Sequence, residues 1–184
     1  MAEREVVTLG DERLRQSSHA VETMTPEIET LIDDMIETMR ASDGVGLAAV
    51  QVGEMVRLVL VQTPEDEEEP GSGELYVVLN PEIAKSSSEV EAGIEGCLSI
   101  PGYIGEVERS TWVVVRGKDR RGKRFRLRAR GFLARAFQHE IDHTNGVLYI
   151  DRLTGPDRIW PVEEGEEEKA EAEQEIPASS RVHI

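Results

Sequence analysis

The sequence is poor in the features that characterise secreted and membrane proteins. It contains one cysteine, Cys97, so no disulfide can form within the chain, which fits a reducing compartment. No segment approaches the roughly 18 consecutive apolar residues that a membrane span needs. The first residues, Met1–Glu5, also lack the apolar segment of a signal peptide. We therefore expect a cytoplasmic protein with no membrane partner.

Aromatic and basic residues are scarce as well. Aromatics make up 4% of the 184 residues, so aliphatic side chains have to fill the core of the single domain that we expect over residues 1–162. Basic residues number 21 against 37 acidic ones, which gives a formal net charge of −16. Much of the acidity lies in Glu65–Glu69 and in residues 163–184, which we expect to form an acidic, flexible C-terminal tail.

One segment of the chain is strongly basic. Residues 116–130 carry nine basic residues and a single acid, Asp119. Such a segment is typical either of the solvated face of a β-hairpin or of a surface that meets RNA or a ribosome. Transient association with ribosomes is therefore a hypothesis, and we expect no sequence-specific nucleic-acid partner.

The spacing of apolar residues predicts the main elements. Thr25 as N-cap, Pro26 at the first helical position and an apolar stripe predict a helix that ends near Ala41. Because strand-like segments precede a second helix, the order favours an α+β fold with a largely antiparallel sheet. The predicted strands are Arg57–Gln62, Tyr76–Asn80, Trp112–Gly117 and Arg124–Arg128, with a short strand at Val6–Leu9, a loop at Pro64–Gly73 and a hairpin turn at Asp119–Gly122.

The second helix carries the clearest chemical pattern, His139-Glu140-Ile141-Asp142-His143. Imidazoles four residues apart lie on one face of a helix, so both can reach a single metal ion. Glu140 lies on the flank, within reach of a proton on water at that ion, as in the H-E-x-x-H pattern of zinc hydrolases. The pattern therefore predicts a catalytic metal site.

Two other segments are candidates to complete such a site. Cys97, in the turn-like segment Glu95–Gly102, is either a buried apolar filler or the third metal ligand that two histidines require. The run Gly44–Gln51 is rich in glycine and alanine, so its backbone is accessible to a second chain. Within that run, Gln51 is either a surface residue or an amide directed at a ligand.

Together, Gly44–Gln51, Glu95–Ser99 and Gln138–His143 resemble, in order and separation, the three signature motifs of the peptide deformylase family. The resemblance spans roughly Val6 to Arg152, and Thr144 stands where that family usually has leucine. It implies antiparallel sheets packed around a central metal-binding helix. It also implies a metal-dependent hydrolase that removes the formyl group from the N-terminal formylmethionine of newly synthesised polypeptides and releases formate.

The resemblance assigns roles to individual residues. It implies that Cys97, His139 and His143 bind one divalent ion, with Fe²⁺ favoured in the cell and Zn²⁺, Ni²⁺ or Co²⁺ also compatible with the ligand types. Further roles follow from the same resemblance: Glu140 as acid and base, Gln51 and the Leu98 N–H as oxyanion donors, and Val45, Gly46, Phe132 and Ala136 as walls of the methionine pocket.

Three further expectations complete the sequence-based account. Glu95 and Arg109 are expected either to form an internal ion pair or to face solvent. The substrate is expected to add as a strand along the backbone of Gly44–Gly46. Two alternatives to a deformylase remain: another H-E-x-x-H metallopeptidase and a non-catalytic metal-binding protein.

Overall fold

A computed structural model describes residues 2–162 of the chain; the predicted acidic tail, residues 163–184, lies outside the described residues. The described residues form two α-helices, α1 (Pro26–Ala41) and α2 (Gly131–Thr144), and eight strands. The strands are β1 (Gly46–Ala48), β2 (Leu58–Val61), β3 (Tyr76–Ser86), β4 (Val90–Gly96), β5 (Tyr103–Ser110), β6 (Trp112–Lys118), β7 (Arg124–Arg130) and β8 (Ile159–Pro161). No helix in this part of the chain is long and apolar enough to cross a bilayer.

The strands form two antiparallel sheets. One has five strands in the order β1-β2-β3-β6-β7, and the other has three in the order β4-β5-β8. Every pairing between these strands is antiparallel. The turn predicted at Asp119–Gly122 joins β6 to β7, where the Gly122 N–H donates to the Asp119 carbonyl at 2.8 Å.

Helix α1 covers one face of the larger sheet. As predicted, Thr25 caps it: the side-chain oxygen accepts the Ile28 N–H at 3.4 Å, and Pro26 occupies the first helical position. The apolar stripe is buried against the inner residues of β1 to β3, and the cluster includes Ile32, Met35, Met39, Leu47, Leu58, Leu60 and Leu79. Met35 and Met39 of this stripe are thus core residues.

Helix α2 lies at the centre of the molecule and contacts both sheets, through β1, β2, β3, β5, β6 and β7. Ala136, Phe137 and Ile141 are buried in the largest apolar cluster. Gln138 fixes the helix to β5, because its amide accepts from the Ser110 N–H at 3.1 Å and donates to the Ser110 carbonyl at 3.0 Å. The predicted α+β fold with a central helix is confirmed.

Some local predictions were wrong or incomplete. Residues 6–9 do not form a strand; instead, the Val7 and Leu9 N–H groups donate to the carbonyls of Gln51 and Ser99, both at 2.8 Å. Strands β4 and β5 were not predicted, because most of their buried positions hold glycine or a charged residue instead of an apolar one, which hides the two-residue alternation. These residues are Glu95, Gly96, Gly105 and Arg109. Strand β3 continues past Asn80 to Ser86 through irregular pairing with β6.

The N-terminus of α2 is capped from a distance. Arg130, the residue before the helix, makes no side-chain capping bond. The Glu69 carboxylate, in the predicted loop Pro64–Gly73, instead accepts the N–H groups of Phe132 at 2.8 Å and Leu133 at 3.4 Å. A carboxylate at this end of a helix also interacts favourably with the helix dipole. Gly131 has a φ of 51°, and a Cβ there would collide with the Glu69 carboxylate.

We expect Glu69→Ala to lower the free energy of unfolding by about 1 kcal/mol, because two N–H groups lose their acceptor. Urea denaturation measures this change. Glu67→Ala is the matched control, since Glu67 is exposed in the same loop, and it should change stability by less than about 0.5 kcal/mol. Equal effects of the two substitutions would show that Glu69 does not stabilise α2.

Candidate metal centre

Three predicted ligands from two distant segments meet in the core. The ligand atoms of Cys97, His139 and His143 all lie within 4.8 Å of one another, and all three residues are buried. Cys97 Sγ lies 3.3 Å from His143 Nε2, which in turn lies 3.2 Å from His139 Nε2. Cys97 belongs to the main apolar cluster, but its sulfur also lies within 4.8 Å of a nitrogen of each histidine, which favours the ligand interpretation over that of an apolar filler.

The local structure explains how these residues meet. The histidines are one turn apart on α2, with ring centroids separated by 4.9 Å. Cys97 directly follows β4, in a turn that the Ile100 N–H closes by donating to the Cys97 carbonyl at 2.8 Å. Pairing of β4 with β5 from Val90 to Gly96 fixes where this turn begins.

The three residues fit a single divalent ion. Metal–ligand bonds of about 2.0–2.3 Å in tetrahedral geometry put ligand atoms about 3.3–3.6 Å apart. The separations of His143 Nε2 from Cys97 Sγ, 3.3 Å, and from His139 Nε2, 3.2 Å, are close to this range. His139 Nδ1 lies 2.9 Å from Glu95 Oε2, so its proton is on Nδ1 and Nε2 is available as a ligand. Two imidazoles and a thiolate leave one tetrahedral position for water or substrate, as a catalytic site requires.

A buried network of charges surrounds Glu95. Its carboxylate accepts from Arg109 Nε at 2.8 Å and Nη2 at 2.9 Å, so the predicted internal ion pair is confirmed. Arg135 Nη1 adds a third donor at 2.9 Å. Burial opposes ionisation of Glu95, but the hydrogen bonds from Arg109 and His139 outweigh it and keep the pKa of the carboxyl below its usual value.

The network extends from Glu95 to the far side of α2. Arg109 Nη1 donates to Asp142 Oδ2 at 2.6 Å, and Asp142 also accepts two bonds from Arg152. Asp142 is the fourth residue of the His139–His143 motif, so the same helical turn carries the ligands and an anchor for Arg109. This chain of contacts connects the three-stranded sheet to the helix that carries two of the candidate ligands.

The protonation states of the ligands differ. Burial raises the pKa of the Cys97 thiol to about 12, and the Glu140 carboxylate adds to the shift. Burial and the neighbouring His139 lower the pKa of His143 well below its usual value. His143 is therefore neutral near pH 7 and ready to bind a metal, whereas Cys97 has to lose a proton first.

Glu140 is fully buried beside these residues. No residue within 2–162 donates a hydrogen bond to either of its carboxylate oxygens. Burial, and next the negative charge of Glu95, raises the pKa of the Glu140 carboxyl well above its usual value. Gly46 of β1 packs against this carboxylate so closely that a Cβ at Gly46 would collide with Oε1. The site thus contains a carboxyl group whose environment favours uptake of a proton.

The Gln51 amide also points into the site. Its oxygen accepts the Ala48 N–H at 2.8 Å, which directs the NH₂ group to Cys97 Sγ at 3.5 Å and Ser99 Oγ at 3.3 Å. Gln51 is therefore not the surface residue of the alternative interpretation. Leu98, between Cys97 and Ser99 in the same turn, is half-buried.

The four predicted pocket walls differ in position. Val45 and Ala136 are buried in the main apolar cluster, and Gly46 contacts Glu140. Phe132 alone of the four borders a cavity of about 180 Å³ at the N-terminal end of α2. That cavity is also lined by Glu69, Glu91–Ile94, Arg109–Thr111, Gly131 and Arg135. The structure thus places Gly46 against Glu140 but does not join all four walls in this cavity.

Several residues of the site had no signal in the sequence. Arg135, Ser99 and Tyr149 contact Glu95, Gln51 and the His139 ring, respectively. Each comes from a different segment, and only the folded chain brings them together. Thr144 is buried and its hydroxyl donates to the Ile141 carbonyl at 2.7 Å, so the replacement of leucine leaves no unsatisfied polar group at this position.

Comparisons with known proteins agree with the geometry. A family model described as polypeptide deformylase matches residues 3–158. The peptide deformylase of Thermomicrobium roseum is 43% identical over 173 residues, which cover 94% of this chain and 98% of that protein. The peptide deformylase of Symbiobacterium thermophilum is 49% identical over 173 residues, 94% of this chain and 76% of that protein.

Solved structures show the same similarity. The crystal structure of the Ehrlichia chaffeensis peptide deformylase in complex with actinonin has a TM-score of 0.79 and 41% identity, covering 84% of this chain and 90% of that one. The crystal structure of the Thermotoga maritima peptide deformylase has a TM-score of 0.77 and 37% identity, and the match covers 84% of this chain and 100% of that one.

The protonation states predict how metal binding depends on pH. When Zn²⁺ is titrated into metal-free protein near neutral pH, we expect about one proton to be released, because the Cys97 thiol ionises while His143 is already neutral. Affinity should rise about tenfold per pH unit in that range. Calorimetry in two buffers with different ionisation enthalpies measures both. Metal binding without proton release, or affinity independent of pH, would contradict this assignment.

Proposed function

The chain belongs to the polypeptide deformylase family, and from this premise we propose which of its atoms hydrolyse the N-formyl group of formylmethionyl peptides. The overall reaction converts an N-formyl peptide and water into formate and a peptide with a free amino group. The observation that carries the proposal is the meeting of Cys97, His139 and His143 beside the buried carboxyl of Glu140.

Members of this family depend on a metal ion, and the three ligands fit one divalent ion per chain. Bound there, the ion supplies a Lewis acid that makes water nucleophilic near neutral pH. We propose Fe²⁺ as the ion in the cell, with Zn²⁺, Ni²⁺ or Co²⁺ as substitutes, since imidazole and thiolate ligands suit all four. Glu95 supports the ligand set by accepting from His139 Nδ1, which keeps the imidazole in the tautomer that binds metal.

Glu140 is proposed as the general base and then the general acid. It takes the proton of the attacking water as the bond to the formyl carbon forms, and it gives that proton to the departing nitrogen as the C–N bond breaks. Its raised pKa supports the first step, since a carboxylate that binds a proton more strongly is a better base toward water.

The developing negative charge on the formyl oxygen requires donors that are already in place. We propose the Gln51 NH₂ and the Leu98 N–H for this role. The bond from Ala48 to the Gln51 oxygen supports it, because the amide cannot rotate to present its oxygen to the substrate without losing that bond. Ser99 further orients the NH₂ group.

Substrate binding is proposed along β1. This strand is at the edge of the five-stranded sheet, so a peptide can pair with its backbone from Gly44–Gly46 onward. Pairing of this kind uses main-chain hydrogen bonds and does not depend on the sequence of the peptide. The contact between Gly46 and Glu140 brings this edge close to the reacting groups. Val45, Gly46, Phe132 and Ala136 are proposed to select methionine.

The two alternative functions have less support. A metallopeptidase would take a third ligand downstream of His143, whereas Cys97 lies within reach of both histidines here. A non-catalytic metal site would not require a buried carboxyl such as Glu140, which lacks a donor from any described residue. Formate release compared with cleavage of unformylated peptides separates the deformylase from a peptidase.

Location and macromolecular partners remain predictions. We propose that the protein acts in the cytoplasm on nascent chains and associates transiently with ribosomes through the basic segment 116–130. Ribosome co-sedimentation before and after reversal of those charges tests the association with ribosomes. An unchanged amount of bound protein would contradict the proposed role of this segment.

Glu140→Gln should retain the metal and lower kcat for formate release from a formyl-Met peptide by about 10²–10⁴-fold, because the base is removed and the shape is kept. Metal analysis and a formate assay measure the two quantities. Glu106→Gln is the control, since Glu106 lies in β5 outside the site, and its activity should equal that of the wild type. Full activity of Glu140→Gln would contradict the role of Glu140.

Gln51→Ala should lower kcat by about 100-fold or more, because one oxyanion donor is lost. KM and metal content should change much less, since the amide is proposed to act on the transition state. Steady-state kinetics with a formyl-Met peptide measures the two constants. A rise in KM with unchanged kcat would instead assign Gln51 to ground-state binding.

A further inference from the structure

Strand β7 carries a row of arginines on one face. Arg124, Arg126, Arg128 and Arg130, which we call the arginine ladder, are all exposed, whereas the alternate residues Phe125, Leu127 and Ala129 face the core. Alternate residues on a strand are about 6.8 Å apart, so the ladder extends over about 20 Å. Strand β7 is also at the edge of its sheet.

The neighbouring strand adds charges of the same sign. Lys118 pairs with Arg124 and Arg116 with Arg126, directly opposite each other in the register of β6 and β7. Like charges in such cross-strand positions destabilise a sheet. Glu82 contacts Arg116 at 3.2 Å, but no residue within 2–162 forms an ion pair with any of the four ladder arginines. The fold thus pairs Arg116 with an acid but leaves the four ladder arginines without an acidic partner among residues 2–162.

An aromatic ring lies beside the ladder. The Arg128 guanidinium is 4.4 Å from the centre of the Trp112 ring, and Trp112 pairs with Arg130 across the strands. Trp112 is only half-buried, so part of its ring remains accessible next to cationic groups. Arginines with an adjacent aromatic ring are typical of surfaces that bind single-stranded nucleic acid.

Protection of an edge strand against aggregation explains the ladder only in part. Charged side chains protect an edge strand, and acidic ones would in addition pair with Arg116 and Lys118. The chain as a whole carries a formal charge of −16, so a row of unpaired cations is an exception within it. A membrane-binding surface would in addition expose large apolar side chains beside the cations, whereas those of β7 face the core.

We propose that the arginine ladder, with Arg116, Lys118 and Trp112, binds the phosphate backbone of single-stranded RNA without reading its sequence. A linear row of cations at this spacing suits the repeated phosphates of an extended strand, and the Trp112 ring offers a face for one base. The inference goes beyond the proposed hydrolysis, and it gives the proposed association with ribosomes a chemical basis. It uses no residue of the candidate metal centre.

The test measures binding of a fluorescein-labelled 20-nucleotide oligo(U) RNA by fluorescence anisotropy at several salt concentrations. Arg124→Glu/Arg126→Glu should weaken binding at least about tenfold. It should also make the negative slope of log K, the association constant, against log salt concentration shallower by about 1.4, because two phosphate contacts are lost. Arg40→Glu/Arg158→Glu is the control, since it changes the net charge equally at exposed sites outside the ladder. It should bind RNA within about twofold of the wild type.

Two further readouts separate RNA binding from a structural role. The double reversal places Glu opposite Lys118 and Arg116, so its thermal midpoint should equal or exceed that of the wild type. Formate release from a short formyl-Met peptide should be unchanged, because the reversal alters no residue of the candidate metal centre. RNA binding and hydrolysis can therefore fail independently of each other. Equal RNA affinity of the wild type and the double reversal would overturn the proposal, as would equal loss in the control variant or tighter binding to anionic lipid vesicles than to RNA.

Discussion

The site depends on the burial of one carboxylate, Glu95. Its desolvation is costly, and four hydrogen bonds from Arg109, Arg135 and His139 offset that cost. The donors come from β5 and α2, while Glu95 itself lies two residues before Cys97. Because both ends of the network are fixed by charge-assisted bonds, the cysteine turn and the histidine helix are fixed relative to each other.

The central position of α2 has a chemical consequence. The helix is enclosed by two sheets, so His143, Glu140 and Cys97 lie away from bulk water. In such surroundings the pKa values of a carboxyl and a thiol rise and that of an imidazole falls. These shifts keep the imidazole of His143 neutral for metal binding and raise the pKa of the Glu140 carboxyl, which makes it a stronger proton acceptor than an exposed carboxyl. The same packing that stabilises the fold therefore prepares His143 and Glu140 for the proposed reaction, whereas the Cys97 thiol ionises only when the metal binds.

The parts of this structure that could be predicted from sequence are those that local patterns encode. The cap at Thr25, the helical spacing of His139 and His143 and the turn at Asp119–Gly122 each depend on a few neighbouring residues. The pairing of Cys97 with the histidines was open on chemical grounds, and similarity to a known family favoured it. By contrast, the Glu69 cap and the Arg135 contact join segments 40 or more residues apart, and no local pattern marks them.

The central claim is that one sulfur and two imidazole nitrogens bind the same ion. X-ray absorption at the metal edge, on protein purified without air, tests it most directly because it identifies both the element and its ligands. We expect one Fe²⁺ per chain with one sulfur at about 2.3 Å and two nitrogens at about 2.0–2.1 Å, and loss of the sulfur signal in Cys97→Asp. A spectrum of bound metal without sulfur in the wild type would contradict it.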